Sequence, residues 1–115
     1  MVLTIGVTLL PHASLLRDVF HIPYDQGVPI IPRDQLEQEN KMREVVEEEV
    51  AKLPAKEALA TVLRYGLYSG VPQRLDEVEK KLKYTRERVR QTEEKVIRKL
   101  RHPAPLERFR EFVRQ

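Results

Sequence analysis

The sequence predicts an all-α protein, a small helical domain with a helix-turn-helix, preceded by an irregular N-terminal arm. Three observations carry that prediction. From about residue 34 onward, apolar residues recur at helical spacing and do not alternate. Prolines and glycines fall between these periodic runs. A short amphipathic run at 75–82 is followed, after a few residues, by a longer basic run at 85–101, which is the order of a helix-turn-helix.

Residues 1–33 read as the arm or linker. Val2 to Leu10 mixes β-branched and apolar residues and could pair as a strand. Ser14-Leu15-Leu16-Arg17-Asp18-Val19-Phe20 could instead form two helical turns with Leu15, Leu16, Val19 and Phe20 on one side. Pro23, Gly27, Pro29 and Pro32 argue against a regular element between 22 and 33. A helical domain is expected over 34–115. Asp34 is the candidate N-cap of its first helix, with Glu37 three residues on as in a capping box. That helix runs to Leu53 on a stripe of Leu36, Met42, Val46, Val50 and Leu53, with Glu47-Glu48-Glu49 as its solvated face. Pro54 closes it and opens a second helix over 54–65, with Ala58, Leu59, Val62 and Leu63 apolar. Gly66 and Gly70 bracket a turn.

Leu75, Val78 and Leu82 are the buried stripe of the short helix at 75–82. Thr85 offers an N-cap oxygen to the long helix, in which Val89, Thr92, Val96 and Leu100 form the buried face. Glu87, Gln91, Glu94 and Arg98 lie opposite, flanked by Arg86, Arg90 and Arg101 on one side and by Arg88 and Lys95 on the other. Guanidiniums, an amide and carboxylates on one exposed face are the groups that read base edges in a major groove. His102-Pro103-Ala104-Pro105 stops this helix. A last helix over 106–114 turns Leu106, Phe109 and Val113 to the core.

Composition narrows the function classes. With 115 residues, 34% charged and 41% apolar, the chain holds one modest domain plus an appendage. It has no cysteine, which removes disulfides and thiolate metal sites. No apolar run approaches the ~20 residues of a membrane-spanning helix, so no membrane partner and a cytoplasmic location are expected. The net charge of +3 hides an asymmetry: residues 1–53 hold 5 basic against 9 acidic side chains, and residues 54–115 hold 16 against 9. The basic half is suited to a phosphate backbone. His12, His21 and His102 are scattered without carboxylates at ligand spacing, and neither a Gly-rich phosphate loop nor a nucleophile motif is present. The reading is of a non-enzyme with no metal and no cofactor.

Several runs taken together identify a family. Leu53-Pro54-Ala55-Lys56-Glu57-Ala58 comes first, then Leu63-Arg64-Tyr65-Gly66-Leu67, then Leu75-Asp76-Glu77-Val78. Thr85-Arg86-Glu87-Arg88-Val89-Arg90-Gln91 and Arg98-Lys99-Leu100-Arg101-His102-Pro103 follow. In this order they resemble the C-terminal domain, the fourth conserved region, of housekeeping-type bacterial RNA polymerase sigma factors. The resemblance covers about residues 35–114, and the last two runs are its most specific part.

The resemblance implies a helical domain that docks on the polymerase flap and reads the −35 promoter element in the major groove. By matching position, Arg86, Glu87 and Gln91 resemble the base readers. An arginine fork suits guanine O6 and N7, and a carboxylate accepts from a cytosine amino group. Arg64, Arg74, Arg88 and Arg90 are the candidate phosphate contacts. Lys95, Arg98 and Arg101 match positions that face upstream DNA or an activator. Leu59, Leu67 and Phe109 are the docking candidates, and each would also fit a core. The implied partners are the polymerase core through its β-subunit flap, double-stranded promoter DNA, and activators or other sigma-like subunits.

The chain also departs from the family pattern. Glu79 stands where Gly or Ala is usual between the paired helices, Thr92 replaces a buried Ile, Glu94 replaces Ala, and Arg74 replaces a capping Thr. The helices that melt the −10 element have no counterpart, which reads either as a C-terminal fragment or as a stand-alone adapter. Residues 14–18 are weakly similar to the finger-like linker that precedes this domain. The first function is therefore a promoter-recognition module. The alternative is a polymerase-binding adapter or regulator that keeps the docking fold with weak or no DNA reading. A helix-turn-helix repressor unrelated to polymerase is the third, and it would need a dimer interface and a palindromic site.

Overall fold

The structure, a computed structural model, describes residues 11–22 and 35–113. Six helices occur among them: α1 (Pro11–Phe20), α2 (Gln35–Ala51), α3 (Ala55–Tyr65), α4 (Leu75–Leu82), α5 (Arg86–Leu100) and α6 (Pro103–Arg110). The described residues contain no strand. The strand reading for 2–10, the Pro-rich linker and the Asp34 cap lie outside the described residues.

Two apolar clusters hold the helices together. The larger joins Leu15, Leu16 and Val19 of α1 to Met42, Val46 and Val50 of α2, with Leu67, Val96, Leu100, Phe109 and Phe112 closing it. The smaller packs Ala60 of α3 against Val78 and Leu82 of α4 and Val89 of α5. Helix α5 therefore spans both clusters, its N-terminal half on α4 and its C-terminal half on α1. Helix α3 backs it along the way, and Lys99 Nζ meets Glu57 Oε1 across that contact at 2.8 Å. This double anchoring fixes the exposed face of α5 with respect to the whole domain.

Four expectations are corrected. The irregular reading of the arm fails for residues 11–20, where the helical alternative holds. Ala13, Leu15 and Leu16 are fully buried there, because their spacing lays one continuous stripe into the groove between α2, α3 and α5. The carboxylates of 47–49 are a solvated face only at Glu48, and all three are engaged by other side chains. Glu49 is only 6% exposed and takes Arg108 Nη1 at 2.6 Å and Lys52 Nζ at 3.0 Å, Glu48 takes Arg108 Nη2 at 2.7 Å, and Glu47 takes His12 Nε2 at 2.9 Å. They lock α2 to α6 and α1. The last helix begins at Pro103, three residues before the expected Leu106, since prolines in a first turn lack only amides that have no intrahelical acceptor. It ends at Arg110, and a turn then carries Phe112 and Val113 inward.

The turn after α3 requires its glycine. Gly66 is left-handed (φ 68°, ψ 41°) and its N–H reaches the Val62 carbonyl. A Cβ there would fall 2.5 Å from the Val71 carbonyl carbon. That backbone approach sets the path from α3 into α4, and hence the placement of the helix-turn-helix.

Candidate nucleic-acid interface

Helix α5 begins as its sequence indicates. Thr85 is extended, and its hydroxyl oxygen accepts the Arg88 N–H at 3.1 Å. Val89, Thr92, Val96 and Leu100 are buried, so one side of the helix is committed to packing. Thr92 keeps its hydroxyl satisfied by donating to the Arg88 carbonyl at 2.8 Å. The opposite side carries Arg86, Glu87, Arg90, Gln91, Glu94, Lys95 and Arg98, all exposed.

Two exposed arginines at the start of α5, Arg86 and Arg88, are held by the helix-turn-helix itself. Arg86 Nε donates to Glu79 Oε2 at 3.1 Å, across the turn that joins α4 to α5. Arg88 lies over the Tyr84 ring, 4.5 Å from its centroid, and Lys56 Nζ lies 5.0 Å from the same centroid while it donates to the Leu82 carbonyl. Tyr84 thus gathers two cations at the start of α5.

Other candidates turn inward. Arg64 gives Nε to Glu93 and Nη1 to the Gln73 carbonyl at 3.1 Å, so it ties the turn after α3 to α5 and does not stand out toward phosphate. Arg101 donates Nε to the Val19 carbonyl at 2.7 Å and Nη2 to the Asp18 carbonyl at 2.9 Å. It satisfies two last-turn carbonyls of α1 and complements that helix end. Arg74 is exposed, with Nε 3.7 Å from Asp76. Lacking an acceptor, its side chain cannot do what a capping Thr does, and Glu77 instead accepts the Arg74 N–H at 2.9 Å. Leu67 and Phe109 are core residues, and of the docking candidates Leu59 alone is a surface residue, at 42% exposure. Tyr68 and Val71, which the sequence did not single out, are more exposed still.

A family model described as sigma-70, region 4 matches residues 50–102, the span from the end of α2 through α5 and just beyond. This segment is a sigma-70 region 4 domain. Among curated relatives, RNA polymerase sigma factor SigA of Nostoc sp. is 40% identical over 83 residues, 72% of this chain and 21% of the relative. RNA polymerase sigma factor RpoD of Neisseria gonorrhoeae is 39% identical over 72 residues, 63% of this chain and 11% of the relative. The chain spans about a fifth or less of the length of these relatives. No solved structure matches it.

The region 4 segment keeps its packing despite the departures in it. Glu79 does not wedge the paired helices apart, because its carboxylate reaches Arg86 at the edge of the α4–α5 contact and is still a quarter exposed. Glu94 projects to solvent. Three residues of the site were not assigned a role from sequence: Glu79 as the partner of Arg86, Glu93 as the partner of Arg64, and Tyr84 as a cation platform. Opposite charges seven residues apart across a three-residue turn were a usable signal for the first. The Arg64–Glu93 pair spans 29 positions and has no local signature. No cluster of side chains among the described residues could hold a metal ion.

Proposed function

We propose that the region 4 segment reads −35-type promoter DNA in the major groove through α5 and connects that DNA to RNA polymerase. One observation carries the reading. The N-terminal half of α5 exposes Arg86, Glu87, Arg90 and Gln91 side by side, while the opposite stripe is sealed in two apolar clusters. In this reading Arg86, Glu87 and Gln91 meet base edges, Arg90 grips phosphate, and Arg88 and Arg74 lie at the margin where the backbone passes. Lys95 and Arg98, further along the same face, are left for upstream DNA or an activator. Docking on the polymerase flap falls to the exposed apolar groups Leu59, Tyr68 and Val71, in place of the buried Leu67 and Phe109. Such a module works in the cytoplasm, where its polymerase is.

A second reading has an observation of its own. Glu79, Glu87 and Glu94 set carboxylates on or beside the reading face, and one of them engages Arg86. An adapter that keeps the docking surface and binds DNA weakly would tolerate them. A gel shift on a −35 duplex, run beside a pull-down with the isolated β flap, separates the two. A shifted band with flap capture is expected. Flap capture without a shifted band would favour the adapter, and neither would remove the polymerase connection.

A further inference from the structure

We propose that Glu79 is a positioning residue for base recognition, buttressing Arg86 so that its guanidinium presents a fixed fork to guanine. The inference rests on α5 being the reading helix and adds a residue of α4 to the site. The geometry is specific. Arg86 is the first residue of α5, and Glu79 accepts from its Nε at 3.1 Å. This contact uses the donor nearest the stem and leaves Nη1 and Nη2 without a hydrogen-bond partner among the described residues. A guanine offers O6 and N7 side by side to such a pair of donors. Arginine has many rotamers, and ordering it on binding weakens the contact unless it is held beforehand.

Glu79 itself is well placed to do the holding. It stands on α4, whose Val78 and Leu82 are fully buried against α5, so its backbone is fixed relative to Arg86. Its side chain is 25% exposed, against 64% for Arg86, so the fixed partner is the carboxylate and the outward one is the guanidinium. As an exposed ion pair the contact contributes little to folding. A carboxylate at this edge also repels phosphate, so Glu79 weakens non-specific binding while it aligns the specific contact.

Three variants of the full chain separate alignment from charge: Glu79→Gln, Glu79→Ala and Arg86→Ala. Each is titrated by fluorescence anisotropy onto a −35 duplex and onto versions with each G·C pair changed to A·T in turn. The Gln side chain still accepts from Nε but is neutral, and Ala does neither. Glu79→Gln is expected to bind all duplexes several-fold more tightly and to keep the preference for guanine at one position. Glu79→Ala should lose roughly tenfold of that preference, with an unchanged melting temperature. If Glu79→Ala keeps the preference or sharpens it, the carboxylate is a mere charge or a competitor, and the buttress is overturned. Arg86→Ala distinguishes the two levels. If it leaves base preference intact, the reading helix itself is wrongly assigned and the proposal falls with it. If it abolishes the preference while Glu79→Ala does not, only the buttress fails.

Discussion

His12 is buried between α1 and α2, with Nε2 donating to Glu47 at 2.9 Å and Nδ1 without a partner among the described residues. Burial pushes its imidazole below the usual value of 6.5, outweighing the Glu47 carboxylate that pulls it up. The unfolded chain therefore takes up a proton at a higher pH than the folded chain does. Stability should be full above about pH 7 and decline as the pH falls through 6.5, levelling off below the folded-state value. Between the two values the decline is about 1.4 kcal/mol per pH unit. Thermal melts at about pH 7.5 and 5.5 should show a drop in the natural chain that is smaller in His12→Gln. An equal drop in both would assign the sensitivity elsewhere. Single residues were legible in their placement, where local helical spacing decides exposure. Arg86, Glu87, Arg90 and Gln91 follow from helical spacing opposite Val89 and Val96. Arg64 and Arg101 were not, because their partners lie 29 and more than 80 positions away. A guanidinium looks the same in sequence whether it meets a phosphate or a carbonyl.

At the scale of elements, α1 changes what the domain is. It lies outside the span matched by the region 4 model, yet it supplies Leu15, Leu16 and Val19 to the main cluster, and its Asp18 accepts from the Tyr65 hydroxyl. Leu16→Ala should cost about 2–5 kcal/mol, the range for a fully buried leucine in a core that cannot collapse around the gap. Urea denaturation measures it. A cost under about 0.5 kcal/mol, as at a surface site, would show α1 to be detachable. The stripe of this helix is visible in sequence, but ten residues of helix are marginal alone, and packing decides whether they form. Helices α4 and α5 were legible nearly to the residue. Thr85 caps locally, and the stripes at 75–82 and 86–100 stand on short-range periodicity. The start of α6 is hidden in the sequence because Pro103 and Pro105 break a helix interior and are welcome in a first turn.

For the whole molecule, the charge asymmetry and the two clusters work together. The acidic residues at 47–49 are consumed within the domain by Arg108, Lys52 and His12, while the outer face of α5 keeps Arg86, Arg88, Arg90, Lys95 and Arg98 exposed. Part of the positive surplus over 54–115 is thereby offered on α5, and that helix is anchored at both ends. Composition revealed the surplus, and only the folded arrangement shows which cations remain outward. A handful of phosphate contacts should give a steep salt dependence, with log K falling against log salt by roughly 3 to 5.

The most direct test of base reading by α5 is the binding of the natural chain and Arg86→Ala to a −35 duplex and to a scrambled one across a salt series. The natural chain should prefer the −35 duplex at every salt. Arg86→Ala should lose about 1–3 kcal/mol of that preference and keep nearly the same salt slope, since a base contact is lost and phosphate contacts are retained. An Arg86→Ala variant that discriminates the two duplexes as well as the natural chain does would contradict the account.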